Sequence, residues 1–257
     1  YLRLAGAQKP ETKKETQVSE AYKFYLRGRY HWNKRTAEDL KKAIREFKQA
    51  ADLDPNYAPA FVGLADSYLL LEEYSGALSS ETLPQARAFA SRALEIDESL
   101  GEAHVSLGVI NSQMWQYEEA EYHFTRAIEL NPKYSTAYLW FCTFLRDTGR
   151  FDEALSAIER AHSLDPLSSI VRVNVGIMHL VKMDADSAVR ELEKVIQLDP
   201  NYWTARSWLG LAYLRQGRAA EAFAELEKGV ELSRGANRAR AFLGYAKAVA
   251  GNRGEAE

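Results

Sequence analysis

Apolar residues recur along the chain in pairs of stripes at helical spacing, and a short polar break separates the two stripes of each pair. Such breaks read DTGRFDEA at 147–154 and RQGRAAEA at 215–222. Each second stripe ends in a similar nine-residue segment. It reads RAIELNPKY at 126–134, and variants occur at 49–57, 92–100, 160–168, 194–202 and 228–236. The second residues of these segments are 43 and then four times 34 residues apart. This fixed period predicts one helix–turn–helix unit that is repeated along the chain.

Small residues and prolines occupy fixed positions of the unit. With Gly101 as position 1 of the third unit, position 8 is held by Gly108, Cys142, Gly176, Gly210 and Gly244, and position 20 by Ala120, Ala154, Ala188, Ala222 and Ala256. Small side chains there let two antiparallel helices approach closely. Position 32 is Pro132, Pro166 and Pro200, with Pro55 earlier. Because proline lacks an N–H and disfavours helix at the preceding residue, it predicts the end of each second helix.

At these residues the chain resembles the tetratricopeptide repeat family. The family pattern of large apolar, small, Ala, Phe, Ala and Pro is met in one unit by Leu107, Gly108, Ala120, Phe124, Ala127 and Pro132. The resemblance covers about residues 22–257. It implies an all-α fold, a right-handed superhelical solenoid of antiparallel helix pairs, and a role as a non-catalytic binding scaffold.

The spacing predicts two regions. Residues 1–21 form a polar, basic segment, either a linker or the remnant of an upstream domain, and residues 22–257 form six repeats and a truncated seventh. Between positions 8 and 20 the first unit has three extra residues and the second has nine, the latter within SGALSSETLP at 75–84. We expect either a tolerated surface loop there or an insertion beside a binding face. Because the seventh unit stops early, we expect more chain to follow in the parent protein.

Charge is unevenly distributed along the chain. Residues 1–35 hold nine Lys and Arg against three Glu, so the overall net charge of −3 leaves −9 for residues 36–257. A basic N-terminal segment followed by an acidic remainder suggests an anionic partner or docking on another domain. No apolar run approaches the roughly 18 residues of a membrane span. We expect a cytoplasmic location, or a periplasmic one if a span lies upstream of Tyr1, which we interpret as the start of an excised piece.

The sequence contains no motif for catalysis, and we expect neither an enzyme nor a cofactor. Phosphate-binding glycine loops, the zinc-protease motif and the nucleophile-elbow motif are absent from the sequence. Three histidines, His104, His123 and His162, fall at unrelated repeat positions, and no metal-ligand spacing results. The single Cys142 excludes an internal disulfide and takes the small-residue position, so we expect a buried small hydrophobe.

The segment YKFYLRGRYHWNKR at 22–35 allows two interpretations. It interleaves aromatic with basic residues, which is the composition of a surface that stacks bases and contacts phosphates. Nucleic-acid or anionic-partner binding is therefore the alternative function. In the other interpretation Tyr22, Tyr25, Leu26 and Tyr30 form the core stripe of the first helix and the basic groups are solvated. The acidic remainder of the chain would repel a phosphate backbone and favours this second interpretation.

A second resemblance covers Glu20 to Tyr68. This stretch is similar to the start of the repeat region in large bacterial signalling proteins, where the array follows a winged-helix DNA-binding domain, a protein kinase or a nucleotide cyclase. The resemblance implies an interaction or sensor region of a bacterial regulator, with a protein or peptide partner or another domain of the same parent chain. It carries over no catalytic residue.

The first helices are expected to line the concave side of the solenoid. Positions 5, 6 and 9 supply the predicted groove, Val62, Asp66, Val105, Val109, Leu139, Trp140, Thr143, Asn174, Ile177, Trp208, Leu211, Phe242 and Tyr245. The Lys and Asn with which chaperone-binding relatives hold a C-terminal carboxylate are missing at positions 5 and 9. An apolar peptide or amphipathic helix is the better match. Alternatively, the stripe packs first helix on first helix, although we expect Trp140 and Trp208 to be interface anchors that packing does not require.

Overall fold

The computed structural model describes residues 18–251, apart from the side chain of Glu73. This part of the chain is all α-helix, in thirteen helices without a strand: α1 (Ser19–Asn33), α2 (Ala37–Leu53), α3 (Ala58–Ser75), α4 (Ser79–Ile96), α5 (Gly101–Gln113), α6 (Tyr117–Leu130), α7 (Ser135–Asp147), α8 (Phe151–Leu164), α9 (Ser169–Val181), α10 (Ala185–Leu198), α11 (Trp203–Arg215), α12 (Ala219–Leu232) and α13 (Asn237–Val249). The all-α class is confirmed. Most of the predicted segment 1–21, and Ala256 of the seventh unit, lie outside the described residues.

The chain divides into two compact units, and the division falls inside α7 between Phe144 and Leu145. In the N-terminal unit α1 packs on α2, α3 on α4 and α5 on α6, and α2 also contacts α3 and α4 contacts α5. In the C-terminal unit α9 packs on α10 and α11 on α12 in the same way. Each unit is therefore a series of helix hairpins, as the repeat predicts.

The small residues lie where two helices of a pair cross. A Cβ atom added to Gly108 would lie 2.8 Å from the ring of Phe124, and one added to Gly176 would lie 2.9 Å from Leu192 Cγ. Position 20 alanines such as Ala188 are fully buried. Since real Cβ atoms do not come this close to a neighbour, only a small residue permits the observed approach, and the predicted helix crossing is confirmed.

The predicted ends of the second helices are also confirmed. In the third unit α6 ends at Leu130 and Asn131 adopts an extended conformation, with φ −141° and ψ 84°, ahead of Pro132. The Asn131 side-chain oxygen accepts a hydrogen bond from the Lys133 N–H at 3.2 Å, and the Tyr134 N–H donates to the Asn131 carbonyl at 3.0 Å. This turn satisfies backbone groups that the terminating helix leaves open.

The surface loop expected at 75–84 is not observed. Helices α3 and α4 each have 18 residues, whereas the helices of later units have 13 or 14, and only three residues connect them. Gly76 ends α3 in the left-handed conformation with φ 69°. The extra residues therefore lengthen both helices by about one turn, and Pro84 is accommodated inside α4.

Candidate partner-binding surfaces

The thirteen predicted groove residues differ in their accessibility. Buried are Val62, Val105, Val109, Leu139, Asn174 and Ile177; half-buried are Asp66, Trp140, Thr143, Trp208, Leu211 and Phe242; exposed is Tyr245. First helices of successive pairs contact each other directly, as α3 contacts α5 and α9 contacts α11. Burial of six of these side chains favours the packing alternative for them.

An aromatic ridge remains accessible in the C-terminal unit. The rings of Trp208 on α11 and Phe242 on α13 meet edge to face, with centroids 4.9 Å apart. Trp208 also packs against the buried cluster that includes Val173 and Leu209, so its indole belongs in part to the core. One helical turn further along the same faces lie half-buried Leu211 and exposed Tyr245. We call Trp208, Leu211, Phe242 and Tyr245 the aromatic ridge.

The inner side of the N-terminal unit is polar. Asp66 on α3 accepts a hydrogen bond from the Ser106 hydroxyl of α5 at 2.7 Å. Burial raises the pKa of Asp66, against the opposing effects of that hydrogen bond and of the Arg29 cation. Burial also raises the pKa of Glu102, and the charge of Asp66 adds to the rise. The cations of Arg29 and Arg35 oppose the rise for Asp66, and Arg29 also opposes it for Glu102, so opposite charges lie near these carboxyls.

Several basic side chains of the segment 22–35 contact aromatic rings of the same segment. Arg29 and Arg35 lie over the ring of Trp32, at 4.7 and 3.8 Å from its centroid, and Lys34 lies 4.5 Å from the centroid of Tyr30. These are cation–π contacts within one segment. The expected core stripe is confirmed only for Tyr25, which is buried and packs on Phe47 and Tyr57. The other three members, Tyr22, Leu26 and Tyr30, are exposed, so the core-stripe interpretation is wrong for them.

Two histidines at unrelated repeat positions, His104 and His123, form a pair in the structure. Nδ1 of His104 on α5 lies 2.9 Å from Nδ1 of His123 on α6. His104 Nε2 lies 3.4 Å from the carbonyl oxygen of Glu98, so His104 donates there and accepts from His123. Burial lowers the pKa of both rings, and that of His123 falls to about 4. Within residues 18–251 no group of three or more His, Cys, Asp or Glu side chains could hold a metal ion.

Sequence reasoning also missed the turn between α5 and α6. Trp115 has φ 62° and is 79% exposed, whereas the equivalent residues of the fourth and sixth units are Gly149 and Gly217, with φ 81° and 76°. Met183 repeats the anomaly in the fifth unit, with φ 62°. The sequence does contain a signal for this left-handed turn at position 15. Two units carry glycine there and two carry a large apolar residue, and glycine would adopt the left-handed conformation without strain.

Comparison with known proteins places the fold in a family. Tetratricopeptide repeat models match residues 112–171 and 179–237. The transcriptional regulator HilA of Salmonella typhimurium is 26% identical over 167 residues, which cover 64% of this chain and 30% of HilA. The chain thus spans less than a third of that relative. No helix within residues 18–251 has the length and apolar character needed to cross a membrane.

Solved structures support the same fold. A monomeric mutant of IFIT1 with Gppp-AAAA superposes with a TM-score of 0.70 at 17% identity, covering 81% of this chain and 51% of IFIT1. Cut9 in the APC/C hetero-tetramer Cut9–Hcn1 gives a TM-score of 0.65 at 17% identity, covering 88% and 46%. These likenesses concern the fold alone. The repeat models, the spaced small residues and the helix hairpins together identify the chain as a tetratricopeptide repeat protein.

Proposed function

We propose that the chain is the interaction or sensor region of a bacterial regulatory protein, and that it binds an apolar peptide or amphipathic helix. The regulatory context is supported by the similarity to HilA over 167 residues and by the stretch 20–68 that resembles the repeat regions of bacterial signalling proteins. The effector would be a separate domain of the same parent protein. This chain would report partner binding to it.

We assign the binding surface to the aromatic ridge of the C-terminal unit. The observation that carries this proposal is the 53% exposure of Tyr245 beside the packed rings of Trp208 and Phe242. Aromatic side chains bury much area at little entropic cost, which makes a half-exposed cluster a suitable anchor. A partner would cover Tyr245 and Leu211 and complete the burial of the two inner rings.

The charge beside the ridge indicates which peptides would be preferred. Helix α13 contains Arg238, Arg240 and Lys247 and no acidic residue. Peptides with acidic groups next to an apolar stripe would therefore be favoured over basic ones, chiefly through the rate of association. This electrostatic preference would weaken as salt is added.

Tyr245→Ala is the decisive substitution, because Tyr245 is exposed whereas Trp208 packs in the core. The full parent protein would be cross-linked to its partners in cells, and each identified partner would then be titrated against the purified variant. We expect Tyr245→Ala to weaken binding by about 2 kcal/mol with unchanged melting. Glu159→Ala on α8, outside the ridge, is the matched control. Equal affinities of the two variants would refute the ridge as the binding site.

A further inference from the structure

The turn between α5 and α6 exposes an aromatic pair. The indole of Trp115 is 79% exposed, and its ring centroid lies 6.1 Å from that of Tyr117, which is 41% exposed. The Tyr117 ring packs on the buried ring of Phe144, with centroids 6.1 Å apart, so the fold holds this tyrosine in place. Trp115 also has φ 62°, a left-handed conformation that is costly for a residue with a Cβ atom. A strained backbone that presents an exposed indole adds nothing to the core, and it therefore indicates a surface kept for binding.

Position 15 of the repeat shows what a large side chain in this turn can contact. Glycine occupies it in the fourth and sixth units, whereas the fifth unit has Met183, which also has φ 62°. The Met183 sulfur lies 3.6 Å from Nη1 of Arg215 on α11. The other large residue at position 15 thus receives an arginine from the chain itself. Trp115 has no basic side chain over its ring among residues 18–251.

The regular units also show how arginine is bound beside this turn. Positions 16 and 19 are arginine and glutamate in the fourth and sixth units, and aspartate and serine, which hydrogen-bond to each other, in the fifth. Arg150 donates to both carboxylate oxygens of Glu153, at 2.7 and 2.6 Å. Arg218 likewise pairs with Glu221, and its guanidinium lies 4.0 Å from the ring centroid of Tyr213. One guanidinium therefore stacks on an aromatic ring and pairs with the position 19 carboxylate at the same time.

The third unit has the carboxylate without its arginine. Position 16 is Gln116, whose side-chain oxygen accepts a hydrogen bond from Arg87 at 2.6 Å. Glu119 at position 19 and its neighbour Glu118 are both exposed, and neither forms an ion pair with any of residues 18–251. Both lie in the first turn of α6, where the helix dipole favours ionised carboxylates. Exposed rings and unpaired negative charge thus occur together in the one regular unit that lacks the internal guanidinium.

We propose that Trp115, Tyr117 and Glu119 form a binding site for an arginine side chain in a basic segment of a partner protein. The guanidinium stacks on the rings and donates to Glu119, as Arg218 does within the sixth unit. Arginine suits the site better than lysine, because its planar group both stacks and pairs with two oxygens. This site lies in the N-terminal unit and is separate from the aromatic ridge of the proposed function. Neither proposal depends on the other.

The probe is a blocked pentapeptide, Gly-Leu-Arg-Leu-Gly, titrated into the full chain labelled with ¹⁵N. The chain has five tryptophans, and the indole N–H signal that disappears in Trp115→Gly is that of Trp115. We expect this signal and the backbone amide of Tyr117 to shift saturably. Half-saturation should lie in the millimolar range, because exposed cation–π contacts and ion pairs are individually weak. Absence of a saturable shift in both signals would overturn the proposal.

Three variants separate the ring from the carboxylate. Glu119→Gln should weaken binding by about threefold to fivefold, which is the scale of an exposed ion pair. Trp115→Gly should abolish the shift of the Tyr117 amide while the chain stays folded. Glu153→Gln is the matched control, since this carboxylate has the same repeat position but already pairs with Arg150. Equal affinities of the Glu119→Gln and Glu153→Gln variants would contradict the assigned role of Glu119.

Two further peptides test the chemistry of the ligand. Citrulline in place of the arginine keeps the shape of the side chain without its charge, and this peptide should not bind measurably. Lysine in the same place should bind more weakly than arginine, because its ammonium group does not stack as a plane. Binding of the citrulline peptide as tight as that of the arginine peptide would overturn a cation site, and equal binding of the lysine peptide would overturn the assignment to arginine.

The remaining measurements distinguish other occupants of the turn. Sedimentation that shows a dimer broken by Trp115→Gly would assign the rings to a second copy of the chain. Pelleting with phosphatidylcholine vesicles that Trp115→Gly abolishes would assign them to a lipid surface. A saturable shift of the Trp115 indole with single-stranded DNA would assign them to stacked bases. Each of these results would overturn the arginine site, which itself predicts a monomer that binds neither vesicles nor DNA through this turn.

Discussion

Acid should loosen the contact between α5 and α6, because the hydrogen bond between His104 and His123 needs at least one neutral ring and burial disfavours charge on both. In the folded chain one Nδ1 donates to the other, and protonation of both rings would leave two donors facing each other at 2.9 Å. The charges around the pair do not favour its protonation on balance. Arg87 of α4 and Arg126 of α6 oppose a positive ring, while Glu119 of α6 favours it, and burial is the largest effect on both pKa values.

The magnitude follows from the lowered pKa of His123. With an ordinary value of 6.5 and a folded value of about 4, the unfolded chain binds the extra proton more readily at every pH between these two values. Stability attributable to His123 is therefore complete above pH 6.5 and is lost as the pH falls toward 4. At pH 5 linkage gives a loss of about 1 kcal/mol relative to pH 7, roughly half of what the full shift would give, because solvent reaches part of the ring and screens its interactions. His104 adds a loss of the same sign.

Two variants and urea unfolding at pH 7 and pH 5 test this reasoning. His123→Gln removes the titrating ring and should retain about 1 kcal/mol that the unaltered chain loses. His104→Arg/His123→Glu installs the ion pair that the fifth and sixth units use at the same two positions, and its stability should depend less on pH over this range. His162→Gln, in the C-terminal unit, is the control. If all four proteins lose equal stability between pH 7 and pH 5, the histidine pair does not govern the acid sensitivity.

Two further predictions concern packing and backbone strain. Ala188→Leu should lower the free energy of unfolding by about 1–3 kcal/mol, because Ala188 is fully buried at the helix crossing. Thermal melts should show a lower melting temperature for this variant than for the exposed control Ala219→Leu. Identical melts would refute the assigned repeat register. Trp115→Gly should stabilise the chain by about 0.5–1 kcal/mol, because glycine adopts the left-handed conformation at this position without strain. Trp115→Ala should not stabilise it. A loss of stability in the glycine variant would mean that the indole packs on the fold.

The residue type could be predicted from the sequence at positions where every unit has the same steric requirement. The space beside Gly108 and Gly176 is filled by a neighbour in each hairpin, so a small residue recurs every 34 positions and the period becomes visible. Prolines mark the helix ends for the same reason. The connection at 75–84 could not be predicted this way, because an insert in a single unit carries no period, and helical sequence can extend a helix as readily as form a loop.

The groove could be predicted only in part. Helical spacing places positions 5 and 9 on one side of each first helix, but it does not state how closely successive first helices approach. The approach is close enough to bury Val62, Val105 and Ile177. Trp208 illustrates the same limit, since its large indole fills space beside α13 and contacts the buried cluster. Exposure of Tyr245 depends on tertiary packing, which the repeat pattern does not contain.

The reason for the histidine pair is found by comparing equivalent positions in different units. His104 and His123 stand at positions 4 and 23, where a first helix faces its own second helix. The same two positions hold Arg172 and Glu191 in the fifth unit, 2.8 Å apart, and Arg206 and Glu225 in the sixth, 2.6 Å apart. In the second unit they hold Phe61 and Phe89, with ring centroids 6.5 Å apart.

One structural contact is therefore made by an aromatic pair, a histidine pair and two ion pairs in a single chain. The aromatic pair does not titrate, and an arginine–carboxylate pair persists until the carboxylate protonates, well below neutral pH. Among these four pairs the histidine pair is the one that weakens folding as the pH falls from 6.5 toward 5, because burial lowers the pKa of both rings. Acid should thus open the hairpin of α5 and α6 before the other three. That hairpin also carries Trp115 at its turn and contributes Ser106 to Asp66, so its loosening would alter both an exposed aromatic turn and the polar inner side of the N-terminal unit.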